Sequence, residues 1–225
     1  MTNKLTRQQV AWRLAQDIED GNCVNLGIGM PELVANYIPE GREIVFHSEN
    51  GILGMGPEPR ANEVDYDLIN AGKKPVTMLP GGAFFHHADS FGMIRGGHID
   101  ICVLGAFQIS AKGDLANWST GGPDAVPAVG GAMDLAVGAR KVLVMTEHNT
   151  KKGDFKIVEE CTYPLTGPGV VTAVYTDIAV IDISDSGPIA REKVAGISFD
   201  ELQARTGTVL AGADTCRELS APDVG

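Results

Sequence analysis

The sequence predicts an α/β fold, in which a β-sheet is covered by helices on both of its faces. Strand-like and helix-like segments alternate along the 225 residues, which is the pattern of α/β proteins. Several strand-like segments are apolar along their whole length, as strands with two covered faces are. No internal repeat or low-complexity linker divides the chain. We therefore expect one domain over residues 1–225.

The first predicted helix begins after Thr6. Thr6 and Gln9 have the spacing of a capping box, in which each side chain bonds the other residue's backbone N–H. Gly21 is the predicted stop signal. Between them, apolar residues recur at i, i+4 and i+8 and make one buried face. These residues are Val10, Leu14 and Ile18.

The remaining elements follow from the same helix and strand periodicities. Strands are predicted at 23–29, 43–48, 75–80, 99–107, 141–147, 170–176 and 178–184. Helices are predicted at 32–38 (opened by Pro31), 62–71, 88–95, 132–139, and from a capping box at Ser198–Glu201 to about Arg205. The Gly- and Pro-rich stretch 119–131 is predicted to be a loop.

Composition and charge exclude several classes of protein. The formal net charge is −11 and no Lys/Arg run is present, so nucleic acid and anionic membranes are not expected partners. No run approaches the ~20 apolar residues of a membrane span. The first residues have no apolar core typical of a signal peptide. The four cysteines form no CxxC pair. We expect a reduced, cytoplasmic protein.

Glu49 is the first candidate for a catalytic residue. It follows the strand-like run Ile44–Phe46 and precedes the turn dipeptide Asn50-Gly51. Ligands of open α/β sheets bind at the carboxyl ends of strands, where this turn would present the carboxylate. Glycines at 51, 54 and 56 leave room for a ligand. A solvated loop acid is the alternative, which these residues alone leave open.

Two further segments are weaker candidates. His86 and His87 are adjacent, so on regular backbone their side chains point in different directions, and a shared metal site is not expected. Either they are polar loop residues or they bind a substrate anion. Gly130 and Gly131 precede a predicted helix, where free N–H groups can stabilise a developing oxyanion, but from these residues alone a tight loop-to-helix turn is the better explanation. No GxGxxG, P-loop or GxSxG motif is present.

Seven blocks of the chain together resemble the family I CoA-transferases, in the B subunit of the 3-oxoacid group. The blocks are NLGIGMP (25–31), SENGILGMGP (48–57), DLINAGK (67–73), MIRGGHID (93–100), KGDLANW (112–118), VGGAMDLAVGAR (129–140) and ECTYPLTG (160–167). They lie in family order between about residues 5 and 210, without a large insertion. The resemblance implies a three-layer α/β/α fold with an open, mostly parallel sheet.

The resemblance also implies a role for each candidate residue. Glu49 would be the nucleophile that becomes a glutamyl-CoA thioester. Backbone N–H groups at Gly130 or Gly131 would stabilise the oxyanion, and the second donor would come from an A subunit in a heterodimer or heterotetramer. Asn50 and the glycines at 51, 54 and 56 would lie against substrate or the pantetheine arm of CoA. No metal or redox cofactor is expected.

A narrower resemblance concerns the acceptor acid. The loop after Asn117-Trp118, FFHHADSF (84–91) and ECTYPLTG resemble 3-oxoadipate:succinyl-CoA transferases of aromatic catabolism. Transferases of the acetoacetate type usually have an Ile-Pro-Gly-Lys loop after that Asn-Trp pair. Because 3-oxoadipate has a second carboxylate, we hypothesise that His86 or His87 helps to bind it.

Two rival interpretations follow from the same resemblance. The first is another 3-oxoacid CoA-transferase, for example one that acts on acetoacetate. The second is a non-catalytic ligand-sensing module on the same kind of fold. Such a module would not need Glu49 and would normally have a DNA-binding segment, which this acidic chain lacks.

Overall fold

The computed structural model describes residues 4–122 and 129–224. Its helices are α1 (Arg7–Ala15), α2 (His87–Arg95), α3 (Ala132–Gly138) and α4 (Phe199–Ala204), with a 3₁₀ helix at Met30–Tyr37. Its strands are β1 (Cys23–Leu26), β2 (Val45–Ser48), β3 (Ile52–Met55), β4 (Met78–Phe84), β5 (Ile101–Leu104), β6 (Gln108–Ser110), β7 (Leu115–Ala116), β8 (Lys141–Met145), β9 (Ile157–Val158), β10 (Val171–Tyr175), β11 (Ala179–Ser184), β12 (Gly187–Val194) and β13 (Arg217–Leu219).

Ten of these strands form one sheet with a parallel centre. The strand order is β13-β12-β11-β10-β8-β5-β1-β2-β3-β4. The parallel centre consists of β10, β8, β5, β1 and β2. Antiparallel pairing begins with β11 beside β10 and with β3 and β4 beyond β2. A second sheet contains β7, β6 and β9. The parallel centre matters for function because the carboxyl ends of its strands lie together at one edge.

Helices cover both faces of the central strands. The chain moves one way along the sheet from β1 to β2, and the opposite way from β2 to β5 and from β5 to β8. Right-handed crossovers therefore place the 3₁₀ helix and the pair α2 and α3 on opposite faces. Helix α1 packs against the 3₁₀ helix, and α2 packs against α3. The predicted three-layer α/β/α fold is confirmed.

Apolar central strands form the core between these layers. Strand β5 is buried at all four positions, and β8 is buried everywhere except its first residue. Residues that are completely or almost completely buried come from α1, β1, β5, β8 and β10. They include Leu14, Val24, Val103, Val144 and Val174. Burial on both faces is the physical reason that these strands lack an alternating pattern.

Local capping signals were accurate. The capping boxes at Thr6 and Ser198 are both present. Helix α1 ends at Ala15, so Gly21 follows a turn instead of ending the helix itself. The predicted helices at 88–95 and 132–139 correspond to α2 and α3, and the predicted helix at 32–38 corresponds to the 3₁₀ helix except for its last residue.

Two element predictions were wrong. Residues 62–71 form turns instead of a helix. Side chains from elsewhere bond this backbone, since Asn50 Nδ2 donates to Ile69 O at 2.7 Å and Ser48 Oγ accepts from Ala71 N at 3.0 Å. The strand predicted at 75–80 lies instead at Met78–Phe84, where it pairs antiparallel with β3.

Some elements were not predicted, and one prediction is only partly described. The sequence analysis missed β3, β6, β7, β9, β12 and β13. In the predicted loop at 119–131, residues 119–122 and 129–131 are neither helix nor strand, and residues 123–128 lie outside the described residues. Among the described helices, none has the length and apolarity that crossing a membrane requires.

Candidate active site

Glu49 lies at the carboxyl edge of the parallel strands, directly after the last residue of β2. Gly51 closes the turn that presents it, with φ +113° and its N–H donating to Ser48 O at 2.9 Å. A Cβ at Gly51 would collide with the carbonyl oxygen of Phe85, so only glycine fits here. The turn therefore directs a half-buried carboxylate toward the strand ends.

The carboxyl ends of four parallel strands meet in one open cleft of about 590 Å³. The residue that follows each of these strands lines it: Gly27 after β1, Glu49 after β2, Gly105 after β5 and Thr146 after β8. Gly130 and Gly131 also line the cleft, as do Trp118 and Lys156. Of the candidates from the sequence, Glu49, Gly130 and Gly131 are thus brought together.

The pKa of Glu49 reflects a half-buried position in which no described residue forms an ion pair with it. Burial raises the pKa of this carboxyl group above its usual range, and the nearby His87 lowers it by a smaller amount. Within residues 4–122 and 129–224, no ion pair includes Glu49. The carboxylate is therefore poorly solvated and able to attack a substrate carbon.

Gly131 lies against the carboxylate of Glu49. A Cβ built on Gly131 would be 3.6 Å from Glu49 Oε1 and 2.8 Å from Phe91 Cζ. Gly130 has φ +64° and open space around it, so its need for glycine is conformational. Of the two glycines, Gly131 is the one whose backbone lies beside the Glu49 carboxylate and is kept there by the absence of a side chain.

A buried polar network next to Glu49 was missed by the sequence analysis. His47 is completely buried, with Nδ1 3.0 Å from Asn25 Nδ2 and Nε2 2.9 Å from Ser90 Oγ. Since the Asn25 amide nitrogen only donates, His47 Nδ1 accepts and the ring proton lies on Nε2, facing Ser90. Burial lowers the pKa of His47 to about 4. A neutral imidazole thus fixes the strand end that precedes Glu49.

Polar residues inside apolar strands were the signal that could have revealed this network. Asn25 and His47 interrupt the otherwise apolar runs of β1 and β2, and the two residues face each other in register. A buried polar group needs a partner, so two such residues on neighbouring strands predict a contact. Lys156, also missed, has no comparable local signal, because long-range folding alone brings it to the cleft.

The structure places Asn50, Gly54 and Gly56 outside the cleft lining. Asn50 Nδ2 bonds the carbonyl oxygen of Ile69. A Cβ at Gly54 would be 2.9 Å from Gly82 Cα, and a Cβ at Gly56 would collide with Thr77 Oγ1. Together with Gly51, these glycines allow β3 and the chain after it to approach the β4 region closely. Their contact with CoA stays a prediction.

His86 and His87 begin α2 and have different surroundings. His86 Nδ1 accepts the N–H of Ala88 at 3.1 Å and so caps the helix. His87 packs edge-on against Phe91, with ring centroids 5.0 Å apart, and is close enough to Glu49 to lower its pKa. Neither histidine lines the Glu49 cleft. Binding of a substrate carboxylate by either histidine stays a prediction.

Comparison with known sequences agrees with this geometry. The coenzyme A transferase family model matches residues 7–204. The chain is 62% identical over 211 residues to the B subunit of the 3-oxoadipate CoA-transferase of Acinetobacter baylyi, covering 94% of this chain and 97% of that relative. It is 48% identical over 200 residues to the B subunit of the succinyl-CoA:3-ketoacid coenzyme A transferase of Helicobacter pylori, covering 89% and 96%.

Solved structures show the same fold at low sequence identity. An acyl-CoA transferase apoenzyme from Escherichia coli O157:H7 superposes with a TM-score of 0.76 and 16% identity, covering 100% of this chain and 46% of that chain. Glutaconate coenzyme A-transferase from Acidaminococcus fermentans gives a TM-score of 0.71 and 19% identity, covering 99% and 92%. The family model spans most of this chain, and the Acinetobacter baylyi relative is matched over nearly its whole length. The chain therefore belongs to the coenzyme A transferase family.

Proposed function

We propose that this chain is the B subunit of a 3-oxoadipate CoA-transferase, which moves CoA from succinyl-CoA to 3-oxoadipate through a thioester on Glu49. The main observation is a half-buried carboxylate at the meeting point of four parallel strands, which has no ion-pair partner within the described part of the chain. Identities of 62% and 60% to the B subunits of two 3-oxoadipate CoA-transferases support the choice of acceptor.

The first half-reaction loads CoA onto the protein. The Glu49 carboxylate attacks the thioester carbon of succinyl-CoA, and CoA leaves as the thiolate, which gives a mixed succinyl–glutamyl anhydride. The thiolate then attacks the glutamyl carbonyl of this anhydride. Succinate leaves, and a glutamyl-CoA thioester remains. No proton is transferred in these steps, which is why Glu49 needs no neighbouring general base.

The second half-reaction reverses these steps with the acceptor. A carboxylate of 3-oxoadipate attacks the glutamyl thioester and displaces the CoA thiolate, forming a second mixed anhydride. The thiolate attacks the 3-oxoadipyl carbonyl, and Glu49 leaves as a carboxylate. The products are 3-oxoadipyl-CoA and the regenerated enzyme, so the kinetics are ping-pong. Thioester, carboxylates and protein donors suffice for every step.

Each attack creates an oxyanion that needs hydrogen-bond donors. The backbone beside Glu49 at Gly131 supports a donor at this position, and Gly130 directly precedes it. Loss of one such donor raises a barrier by about 3–4 kcal/mol. The other donor would come from the A subunit, and both 3-oxoadipate relatives support such a partner, since each is one subunit of a larger enzyme. The assembly would be a heterodimer or a heterotetramer.

A succinyl-CoA:acetoacetate transferase is the second candidate. Its support is the 48% identity to the Helicobacter pylori relative and the 46% identity to the B subunit of a probable succinyl-CoA:3-ketoacid coenzyme A transferase of Bacillus subtilis. Competition between 3-oxoadipate and acetoacetate for the loaded enzyme distinguishes the two. The preferred acceptor is the one with the larger kcat/KM.

Trapping the covalent intermediate tests the mechanism. The chain is co-purified with its A subunit and incubated with succinyl-CoA alone, then treated with borohydride, which reduces a glutamyl thioester to an alcohol. Mass spectrometry should find the reduced side chain in the peptide containing Glu49, and the Glu49→Gln complex serves as the control. An unmodified Glu49 in a complex that still converts succinyl-CoA and 3-oxoadipate would refute the proposed route.

A further inference from the structure

We propose that Lys156 binds the second, non-reacting carboxylate of the substrates and so selects dicarboxylic acyl groups. The inference rests on the proposed function, in which succinyl-CoA and 3-oxoadipate each have such a carboxylate. It concerns the half-buried ammonium group in the cleft that contains Glu49. Neither the nucleophilic nor the oxyanion-stabilising steps described above use this residue.

The position of the Lys156 side chain is fixed by two neutral acceptors. Lys156 Nζ donates to Thr146 Oγ1 at 2.7 Å and to Ala106 O at 3.3 Å. Thr146 follows β8, and Ala106 lies just beyond β5, so the ammonium group lies at the same sheet edge as Glu49. An ammonium group has three N–H donors, and these contacts use two. Counting the described residues alone, one donor therefore remains for a ligand in the cleft.

Within residues 4–122 and 129–224, no carboxylate forms an ion pair with this ammonium group. The two nearby carboxylates are already paired, Glu147 with Arg7 at 3.0 Å and Asp177 with Lys4 at 2.6 Å. Burial lowers the pKa of Lys156, and those carboxylates partly offset that effect. A substrate carboxylate would therefore compensate a half-buried cation that the described residues leave without a direct partner.

The strand order gives the distance between the two groups. Along the sheet, Glu49 follows β2, and the acceptors of Lys156 follow β5 and β8, two and three strands away. At a spacing of about 4.8 Å per strand, the backbone positions are separated by about 10–14 Å. Because Lys156 Nζ already lies at these acceptors, the Glu49 side chain is what shortens this span, and the remaining distance suits a short, extended diacid. The phosphates of CoA lie far beyond its thioester and are a worse match for this distance.

Lys156 also fits the second carboxylate better than the histidines suggested by the sequence. His86 uses Nδ1 to cap α2, and His87 lies beside the reacting carboxylate, on the near side of the site. Lys156 lines the cleft at the ends of β5 and β8, two and three strands away from β2, which Glu49 follows. A second carboxylate should contact the group that is remote from the nucleophile.

The test uses two acceptor acids that differ only in whether the second, non-reacting carboxylate is present. The wild-type, Lys156→Gln and Lys156→Arg chains are each purified in complex with the A subunit. Steady-state kinetics are measured with 3-oxoadipate and with 3-oxohexanoate, which has the same six-carbon chain without the second carboxylate. Glutamine retains N–H donors for Thr146 and Ala106 but removes the charge. The matched control is Lys152→Gln, which makes the same change at an exposed position of the same segment.

We expect Lys156→Gln to lower kcat/KM for 3-oxoadipate by about 10- to 100-fold, the range of a charge-assisted hydrogen bond. The value for 3-oxohexanoate should change by less than about threefold, and Lys156→Arg should restore part of the selectivity. Lys152→Gln should leave both values unchanged. Thermal unfolding of each complex verifies that the variants are folded.

Three outcomes would overturn the assignment. Equal losses for both acceptors would show that Lys156 only supports the strand ends. Equal increases of KM for succinyl-CoA and butyryl-CoA would place a CoA phosphate, instead of an acyl carboxylate, at this lysine. A wild-type complex that is active with acetoacetate but inactive with 3-oxoadipate would refute the proposed function first, and with it this assignment.

Discussion

Two groups of charged residues in this molecule are at least half-buried but are partnered in opposite ways. Between α1 and β12, Arg13 makes two bonds to Glu192, of 2.7 and 2.8 Å, and a third of 2.8 Å to Asp17. Arg191 joins this cluster through Asp17 at 2.6 Å. In the cleft, by contrast, Glu49 has no cationic partner within the described part of the chain.

The difference in partners reverses the effect of burial on acidity. Burial alone would raise the pKa of Asp17 and of Glu192, but hydrogen bonds and charges from Arg13, Arg191 and their neighbours outweigh it, and both pKa values are lowered. For Glu49 burial is the dominant effect, and the pKa is raised. A buried carboxylate that is fully paired contributes to the specificity of the fold, whereas one left unpaired is available for chemistry.

Replacing the carboxylate in the cleft should have the largest effect on activity and little effect on stability. We expect Glu49→Gln to lower kcat by at least about 10⁴-fold, since loss of a covalent nucleophile has effects of this size. The free energy of unfolding should stay the same or increase, because the change removes a half-buried charge that no described residue pairs with. Activity and urea unfolding of the complex are measured beside Glu160→Gln, an exposed control. A strongly destabilised Glu49→Gln would contradict the comparison.

Replacing a paired carboxylate should give the opposite result. Glu192 has a side chain that is 8% exposed, and Glu192→Gln leaves Arg13 and Arg217 facing a neutral group. We expect the free energy of unfolding to fall by about 3–5 kcal/mol, as when one member of a buried pair is lost. Activity per folded molecule should not change.

A double-mutant cycle sharpens this second prediction. The variant with Arg13→Met and Glu192→Met removes both charges, so it should lose less stability than the sum of the single changes. Urea unfolding of all four proteins gives the coupling energy. A coupling below about 0.5 kcal/mol would mean that the pair behaves like an exposed one, and the contrast with Glu49 would fail.

The smallest expected effect is on the pH dependence of kcat/KM, which reflects the ionisation of Glu49 in the cleft. In the proposed mechanism activity requires the ionised Glu49, so kcat/KM should fall as the pH drops through the pKa of this group, which burial has raised. His87 lowers that pKa. His87→Ala should therefore raise it further and shift the acidic limb of the pH profile toward higher pH. The exposed His98→Ala is the control, and a shift of the His87→Ala limb toward lower pH would contradict the assigned charge effect.

The features that could be predicted from the sequence are those with local causes. The capping boxes at Thr6 and Ser198 depend on four consecutive residues, and both formed as predicted. The turn at Asn50-Gly51 depends on a glycine with positive φ and also formed. The segment 62–71 failed because its backbone groups bond distant side chains, which no local propensity reveals.

Strand β12 shows a second limit of local patterns. It alternates buried and half-buried residues, as a half-exposed strand does, but Glu192 occupies one of its buried positions. Glu192 points inward, where an alternating pattern predicts an apolar residue. Arg13, from a helix 179 residues away in the sequence, and Arg217 together make that position acceptable. The strand was therefore missed although its periodicity was present.

The family, the α/β fold and the candidate nucleophile could be predicted from the amino-acid sequence alone, because the seven family-like blocks and the strand–turn motif around Glu49 are each contiguous in the chain. The groups that surround this candidate are known only from the folded structure. Gly131 lies beside it from a distant segment, His47 is neutral because of burial, and Lys156 reaches the cleft through two acceptors on other segments. Burial and long-range contacts set charge and position, and neither is encoded in any short stretch of residues.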